Sequence, residues 1–148
     1  MSNMDNKFDP NKMTFLDFKM VKGHVDNPEG FDPSKIERYP IKNGLKVRFN
    51  LSDRLVRADF NIEIKTKSKN PKEASGNFHF VFIYRIENLE ALAIPDENDL
   101  IEVHPELGSA LSSITYSTIR GILLTKLQGT ALQLFILPIL DPNKLFQQ

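Results

Sequence analysis

The 148-residue chain contains no cysteine and no tryptophan. Without cysteine there is no disulfide, no thiolate nucleophile and no cysteine-based zinc site. An excess of either charge is missing as well: 19 Lys and Arg stand against 19 Asp and Glu, for a formal net charge of zero. No overall basic field therefore calls for nucleic acid or an anionic membrane. No run approaches the roughly 20 apolar residues of a membrane span, and the opening MSNMDNKFDPNK lacks the charged, then apolar, then small order of a secretory signal. These absences lead us to expect a cytoplasmic protein. At this length a single domain over 1–148 is expected, with residues 1–12 loose, and folding can bury roughly two-thirds of the unfolded surface.

Signs of catalysis or metal binding are equally sparse. His24, His79 and His104 are scattered, and no two sit at ligand spacing, so no metal is expected. PDENDLIE carries Asp96, Glu97, Asp99 and Glu102 but lacks the alternating ligands and central glycine of an EF-hand. It reads as a solvated loop with Asp99 near a helix start. SALSSITYST is rich in hydroxyls, yet no Gly-x-Ser-x-Gly elbow accompanies it. Small packing residues account for it better than a nucleophile, and the chain is expected to be no enzyme, with no catalytic residues and no cofactor. The basic loop KTKSKNPK, Lys65 to Lys72, has no interleaved aromatics for nucleic acid.

What the sequence does hold is alternation. Leu45, Val47, Phe49 and Leu51 share one parity, with Lys46, Arg48 and Asn50 on the other. After Ser52–Arg54 the parity switches to Val56, Ala58, Phe60, Ile62 and Ile64, opposite a wet row of Arg57, Asp59, Asn61, Glu63 and Lys65. A turn or bulge must hold that switch, because a one-residue slip exchanges the faces. Phe78, Phe80, Phe82, Tyr84 and Ile86 form a third core row, and Val81 and Ile83 make this strand apolar on both faces, as in a central strand. TFLDFKMVKGHV is a weaker first strand, followed by a connection punctuated by Pro28, Pro33 and Pro40.

Past NLEALAIPDENDLIEVHPELG, Asn88 to Gly108, the period becomes helical. Leu107, Leu111, Ile114, Thr118 and Ile122 form one stripe, and Tyr116, Ile119, Leu123 and Leu127 a second, until Gly129 supplies a left-handed cap. The order predicts an α+β fold: a four-stranded antiparallel sheet, one long helix and a short apolar C-terminal segment. The sheet covers the first helical stripe. The second, with the segment after it, is left over, and burying each large apolar side chain is worth about 1.5–3 kcal/mol. A homo-oligomer is therefore expected, dimer or tetramer, with Tyr116, Ile119, Leu123 and Leu127 at the interface.

The run YSTIRGILLTKLQGTALQLFILPIL, Tyr116 to Leu140, resembles the signature of SecB, the bacterial protein-export chaperone. The matching residues are Tyr116, Gly129, Thr130, Gln133, Leu134 and Pro138, with the family's isoleucine at Gly121 or Ile122. The resemblance implies a dimer of dimers and an ATP-independent chaperone without chemistry. Its apolar grooves hold unfolded polypeptide clients between the crossover after the first strand and the segment after the helix. Carried onto this chain, the groove candidates are Phe31, Ile36 and Tyr39 in the crossover with Leu134, Ile136 and Ile139 after Gly129. Three departures modify the expectation. SecB offers acidic residues on its sheet to the motor SecA, whereas the wet row here is mixed, so SecA docking is not expected. Leu132 stands where the family usually has a proline, and the crossover has no tryptophan. SecB continues into a second helix past the point reached by Gln148, so a shallower groove is expected. Relatives tied to toxin–antitoxin systems make a dedicated adaptor the alternative.

Overall fold

The parity switch at Ser52–Arg54 is a tight turn in the computed structural model, which describes residues 6–141, 144, 146 and 147. Arg54 sits there at a φ of 59°. The turn joins two of the strands β1 (Met13–Asp26), β2 (Ile36–Arg38), β3 (Ile41–Asn50), β4 (Leu55–Lys65), β5 (Lys67–Ser68) and β6 (Ser75–Ile86). β1, β6, β4 and β3 lie side by side in that order, all antiparallel, and β2 pairs with β5 in a small separate ribbon. The register aligns Val47, Ala58 and Phe82, then Leu45, Phe60 and Phe80, on one face. All six are buried. Beyond β6 come a single turn α1 (Leu89–Leu92), the hairpin β7 (Ala93–Pro95) and β8 (Ile101–Val103), and the long helix α2 (Pro105–Lys126). A short β9 (Phe146–Gln147) runs parallel to β3, a fifth strand that the alternation did not predict.

Helix α2 starts where the His104 side chain accepts from the Glu106 amide (3.2 Å) and Pro105 takes the first helical position. Gly129 has a φ of 77°, the left-handed conformation expected after the helix. Asp99, read as lying near a helix start, instead occupies the β7–β8 turn at a φ of 59°. The stripes also need correction. Leu107, Leu111, Thr115, Ile119, Leu123 and Leu127 recur at every fourth residue and are all buried, whereas Ile114 is 43 % exposed. One row thus faces the sheet, with Tyr116 and Ser112 beside it. Thr115 fits among aliphatic neighbours because its hydroxyl shares a 2.7 Å hydrogen bond with the buried Tyr84 hydroxyl. Burial pushes the Tyr84 phenol up to about 12 against that bond.

Tyr116, Ile119, Leu123 and Leu127 are therefore core residues of the single chain, not surface awaiting a partner. Uncovered apolar surface lies elsewhere: Ile114 and Leu124 on α2, Phe15, Leu16, Met20 and Val21 on the edge strand β1, Ile94 and Leu100 in the β7–β8 hairpin, and side chains after Gly129. Residues 7–12, expected to be loose, are tied down. The Asn88 side chain donates to the Lys7 carbonyl (3.1 Å), the Glu87 amide to the Lys12 carbonyl (3.0 Å), and Phe8 packs on the core.

Candidate functional site

The segment after Gly129 alternates in accessibility although its sequence is apolar almost throughout. Leu132, Phe135 and Leu137 are buried, while Leu134, Ile136 and Ile139 are 60 %, 62 % and 91 % exposed. The buried members fit into places prepared for them. Gly76 on β6 has no side chain, and a Cβ there would stand 2.8 Å from the Leu132 Cδ1. Phe135 meets Tyr39 edge to face at 5.3 Å between ring centroids.

Helix α2 then fixes the end of the segment through its backbone. The Tyr116 hydroxyl donates to the Pro138 carbonyl (2.6 Å), and the Arg120 guanidinium donates to the Leu137 carbonyl (2.9 Å) and to that of Pro138 (3.3 Å). The guanidinium carbon lies 5.2 Å from the centre of the Tyr116 ring. Burial raises the Tyr116 phenol above its ordinary value, with Arg120 acting against the shift. With carbonyls 137 and 138 held toward the protein, Ile136 and Ile139 stay out in water.

The crossover between β1 and β3 meets this segment at two points. At its start, the Asn27 side-chain oxygen accepts from the Ala131 amide at 2.6 Å. At its end stands the Tyr39–Phe135 contact, where burial raises the Tyr39 phenol. Phe31 and Ile36 fall between these ties on one strand of chain, and Leu134 on the other. The crossover is itself braced from behind: Asn70 accepts from the Asp32 amide (3.1 Å) and donates to the Asp32 carbonyl (3.0 Å). A cleft of about 350 Å³ lies along it, lined by Pro28, Glu29, Gly30 and Phe31 on one side and Asn70, Pro71 and Lys72 on the other.

The six groove candidates divide accordingly. Phe31, Ile36 and Tyr39 are half-buried, Tyr39 being committed to Phe135; Leu134, Ile136 and Ile139 present their side chains to solvent. Sequence reasoning missed Asn27 and Phe135, which hold the two segments together, and Arg120, which ties the second of them to α2. The period of two in Leu134–Leu137 was the available signal, hidden because every member is apolar.

A second apolar cleft, of about 240 Å³, opens between the N-terminal segment, β1 and α2, lined by Phe8, Met13, Phe15, Ala110 and Ile114 among others. Among the described residues no cluster of three or more His, Asp and Glu could hold a metal ion, and no helix is long and apolar enough to cross a membrane.

No family model matches the chain, and no curated protein matches it by sequence. Solved structures do. A SecB-like chaperone from Mycobacterium tuberculosis, solved in complex with a ChAD peptide from the HigA1 antitoxin, superposes with a TM-score of 0.62. It is 14 % identical, and the match covers 88 % of this chain and 91 % of that one. A protein of unknown function from Streptococcus agalactiae aligns over 86 % of this chain and 97 % of its own, at 8 % identity and a TM-score of 0.33. The first likeness, together with the four-stranded antiparallel sheet and single long helix, establishes a SecB-like fold.

Proposed function

We propose that the protein is an ATP-independent, non-enzymatic chaperone of the SecB-like kind, a holdase that keeps unfolded polypeptide from aggregating. The carrying observation is the row of Leu134, Ile136 and Ile139, kept in water by a segment whose alternate residues are core. An extended client laid along the crossover and this row gains by burying both its own apolar side chains and these three, about 1.5–3 kcal/mol for each fully covered. Such contact is tolerant of client sequence, since it reads apolar surface and extended backbone. The likeness to a chaperone solved with an antitoxin peptide supports a polypeptide ligand of this form.

That same likeness favours a second reading, in which the fold serves as an adaptor for one dedicated partner, such as an antitoxin, without general chaperoning. Aggregation of several unrelated denatured proteins, followed by light scattering, separates the two. Suppression of most of them near equimolar ratio supports the holdase. Protection of none, with a tight complex formed by a single toxin–antitoxin partner, supports the adaptor.

The reading includes self-association in the cytoplasm, as a dimer or tetramer. Its support is the uncovered apolar surface of Ile114 and Leu124 on α2 beside the long, one-sided edge strand β1. Ser113, Ser117 and Gly121 lie exposed on that helix face and allow close approach. Ile114→Asp with Leu124→Asp is expected to yield folded monomer by light scattering after gel filtration. A monomeric parent protein refutes this part. Docking to SecA is not part of the reading, because the outer face of the sheet is not acidic.

A further inference from the structure

The outer face of the sheet, turned away from α2, carries a charge pattern that the whole-chain balance conceals. Register places four rows across β1, β6, β4 and β3: Asp17–Ile83–Arg57–Arg48, Lys19–Val81–Asp59–Lys46, Lys22–His79–Asn61–Gly44 and His24–Asn77–Glu63–Lys42. Positive side chains outnumber carboxylates in these rows, although the chain as a whole is neutral. The compensating acids lie elsewhere: between Glu87 and Glu106 the sequence has seven carboxylates and no Lys or Arg.

One of the carboxylates on the face is already consumed. Asp59 is 8 % exposed and accepts from Arg57 at 2.8 and 3.1 Å and meets the His79 ring nitrogen at 2.8 Å, with Arg48 at 3.6 Å. Lys22 and Lys46 form no ion pair among the described residues, and both are exposed. Lys22 and Lys42 rim a trough of about 300 Å³ with Asn61 and Asn77 along it; Glu63 also lines it, its carboxylate engaged by Lys65 at 3.0 Å. Gly44 leaves it open, since a Cβ there would meet no atom within 4 Å.

We propose that this face is a docking surface for an acidic segment of another protein, whose carboxylates enter the trough between Lys22 and Lys42. Two ammonium groups and two side-chain amides supply charge-assisted and neutral donors for a carboxylate. Nucleic acid fits less well. Asp17 and Glu63 stand among the lysines, where a continuous phosphate backbone would run into them, and the four rows hold no Phe, Tyr or Trp as a stacking platform. A polypeptide can place its carboxylates with gaps. The proposal is independent of the client site, which lies on the other side of the sheet, so failure of either leaves the other standing.

The test uses the full chain and a fluorescein-labelled peptide of alternating Glu and Gly, titrated by anisotropy. Binding is expected that weakens as salt is added. Lys22→Glu with Lys42→Glu is expected to weaken it about tenfold or more, since each reversal turns an attraction into a repulsion. Lys67→Glu with Lys69→Glu, exposed in and just after β5 and outside the trough lining, is expected to leave it unchanged. Any of three results overturns the proposal: equal loss in both double variants, which marks diffuse attraction; tighter binding of oligo-dT than of the peptide; or salt-sensitive self-association abolished by the first pair, which assigns the face to the acidic 87–106 region of a second copy.

Discussion

Replacing Ile136 and Ile139 by Ser tests whether the C-terminal segment divides its labour between core and client. Ile139 is 91 % exposed and Ile136 62 % exposed, so neither loses much packing, and each substitution should move folding stability by no more than about 0.5 kcal/mol. Client binding should respond far more. Covering Ile139 removes nearly a whole side chain from water, worth about 1.5–3 kcal/mol before the cost of ordering the client. If roughly half of that survives, each site contributes about 1 kcal/mol, and the double variant binds on the order of 10–30-fold more weakly. The neighbouring substitutions Leu132→Ala and Phe135→Ala should reverse the pattern. Both residues are buried, and their truncation costs about 2–5 kcal/mol of stability. Urea unfolding followed by circular dichroism gives the stabilities, and anisotropy of a labelled, reduced and carboxymethylated client gives the affinities. Unchanged affinity in the Ile136/Ile139 double variant, or a neutral Phe135→Ala, refutes the reasoning.

Three further outcomes follow from the same geometry. Burial acts to raise the Asp59 carboxyl, but hydrogen bonds and charge from Arg57 and His79 outweigh it and hold it at about 2, below its ordinary 3.8. A carboxylate lowered on folding stabilises above its unfolded value and stops doing so as pH falls through the folded one. Urea titrations should therefore lose about 2 kcal/mol between roughly pH 4 and pH 2 that Asp59→Asn does not lose; equal slopes contradict the assignment. Tyr116→Phe removes a donor to carbonyl 138 and Arg120→Ala removes donors to carbonyls 137 and 138, and each should cost about 0.5–1.5 kcal/mol while speeding proteolysis after residue 137. Protease resistance equal to the parent's would deny that α2 holds the segment. Gly76→Ala should cost about 1–3 kcal/mol by crowding Leu132, and Leu132→Val should restore part of the loss; no restoration would place the strain elsewhere.

The strands were legible because parity is a local property. The rows from Val56 to Ile64 and from Phe78 to Ile86 could be read directly, and so could the turn that exchanges faces at Ser52–Arg54. The helix was misphased for an equally physical reason. Thr115 reads as polar, so the fourth-residue row from Leu107 to Leu127 broke into two apparent stripes, and the surplus was assigned to an interface. Only the contact with Tyr84 reveals that a hydroxyl belongs in that row. The site suffered from the opposite problem. Leu134 to Leu137 are all apolar, and hydropathy does not distinguish Phe135, which meets Tyr39, from Ile136, which faces water. The ties that bring the crossover to the segment join Asn27 to Ala131 across 104 residues, a separation at which one sequence carries no local pattern. The basic outer face was visible as a mixed row along one strand, and its sign emerged only when register set four strands together.

The measurement that bears most directly on the central claim is photocrosslinking of an unfolded client from a benzophenone side chain placed at position 139, with position 57 on the outer face as the comparison. The account predicts crosslinks from 139 that map to apolar stretches of several unrelated clients and are competed by unlabelled unfolded protein, with few from 57. Equal yields from the two positions, or none from 139, would contradict it.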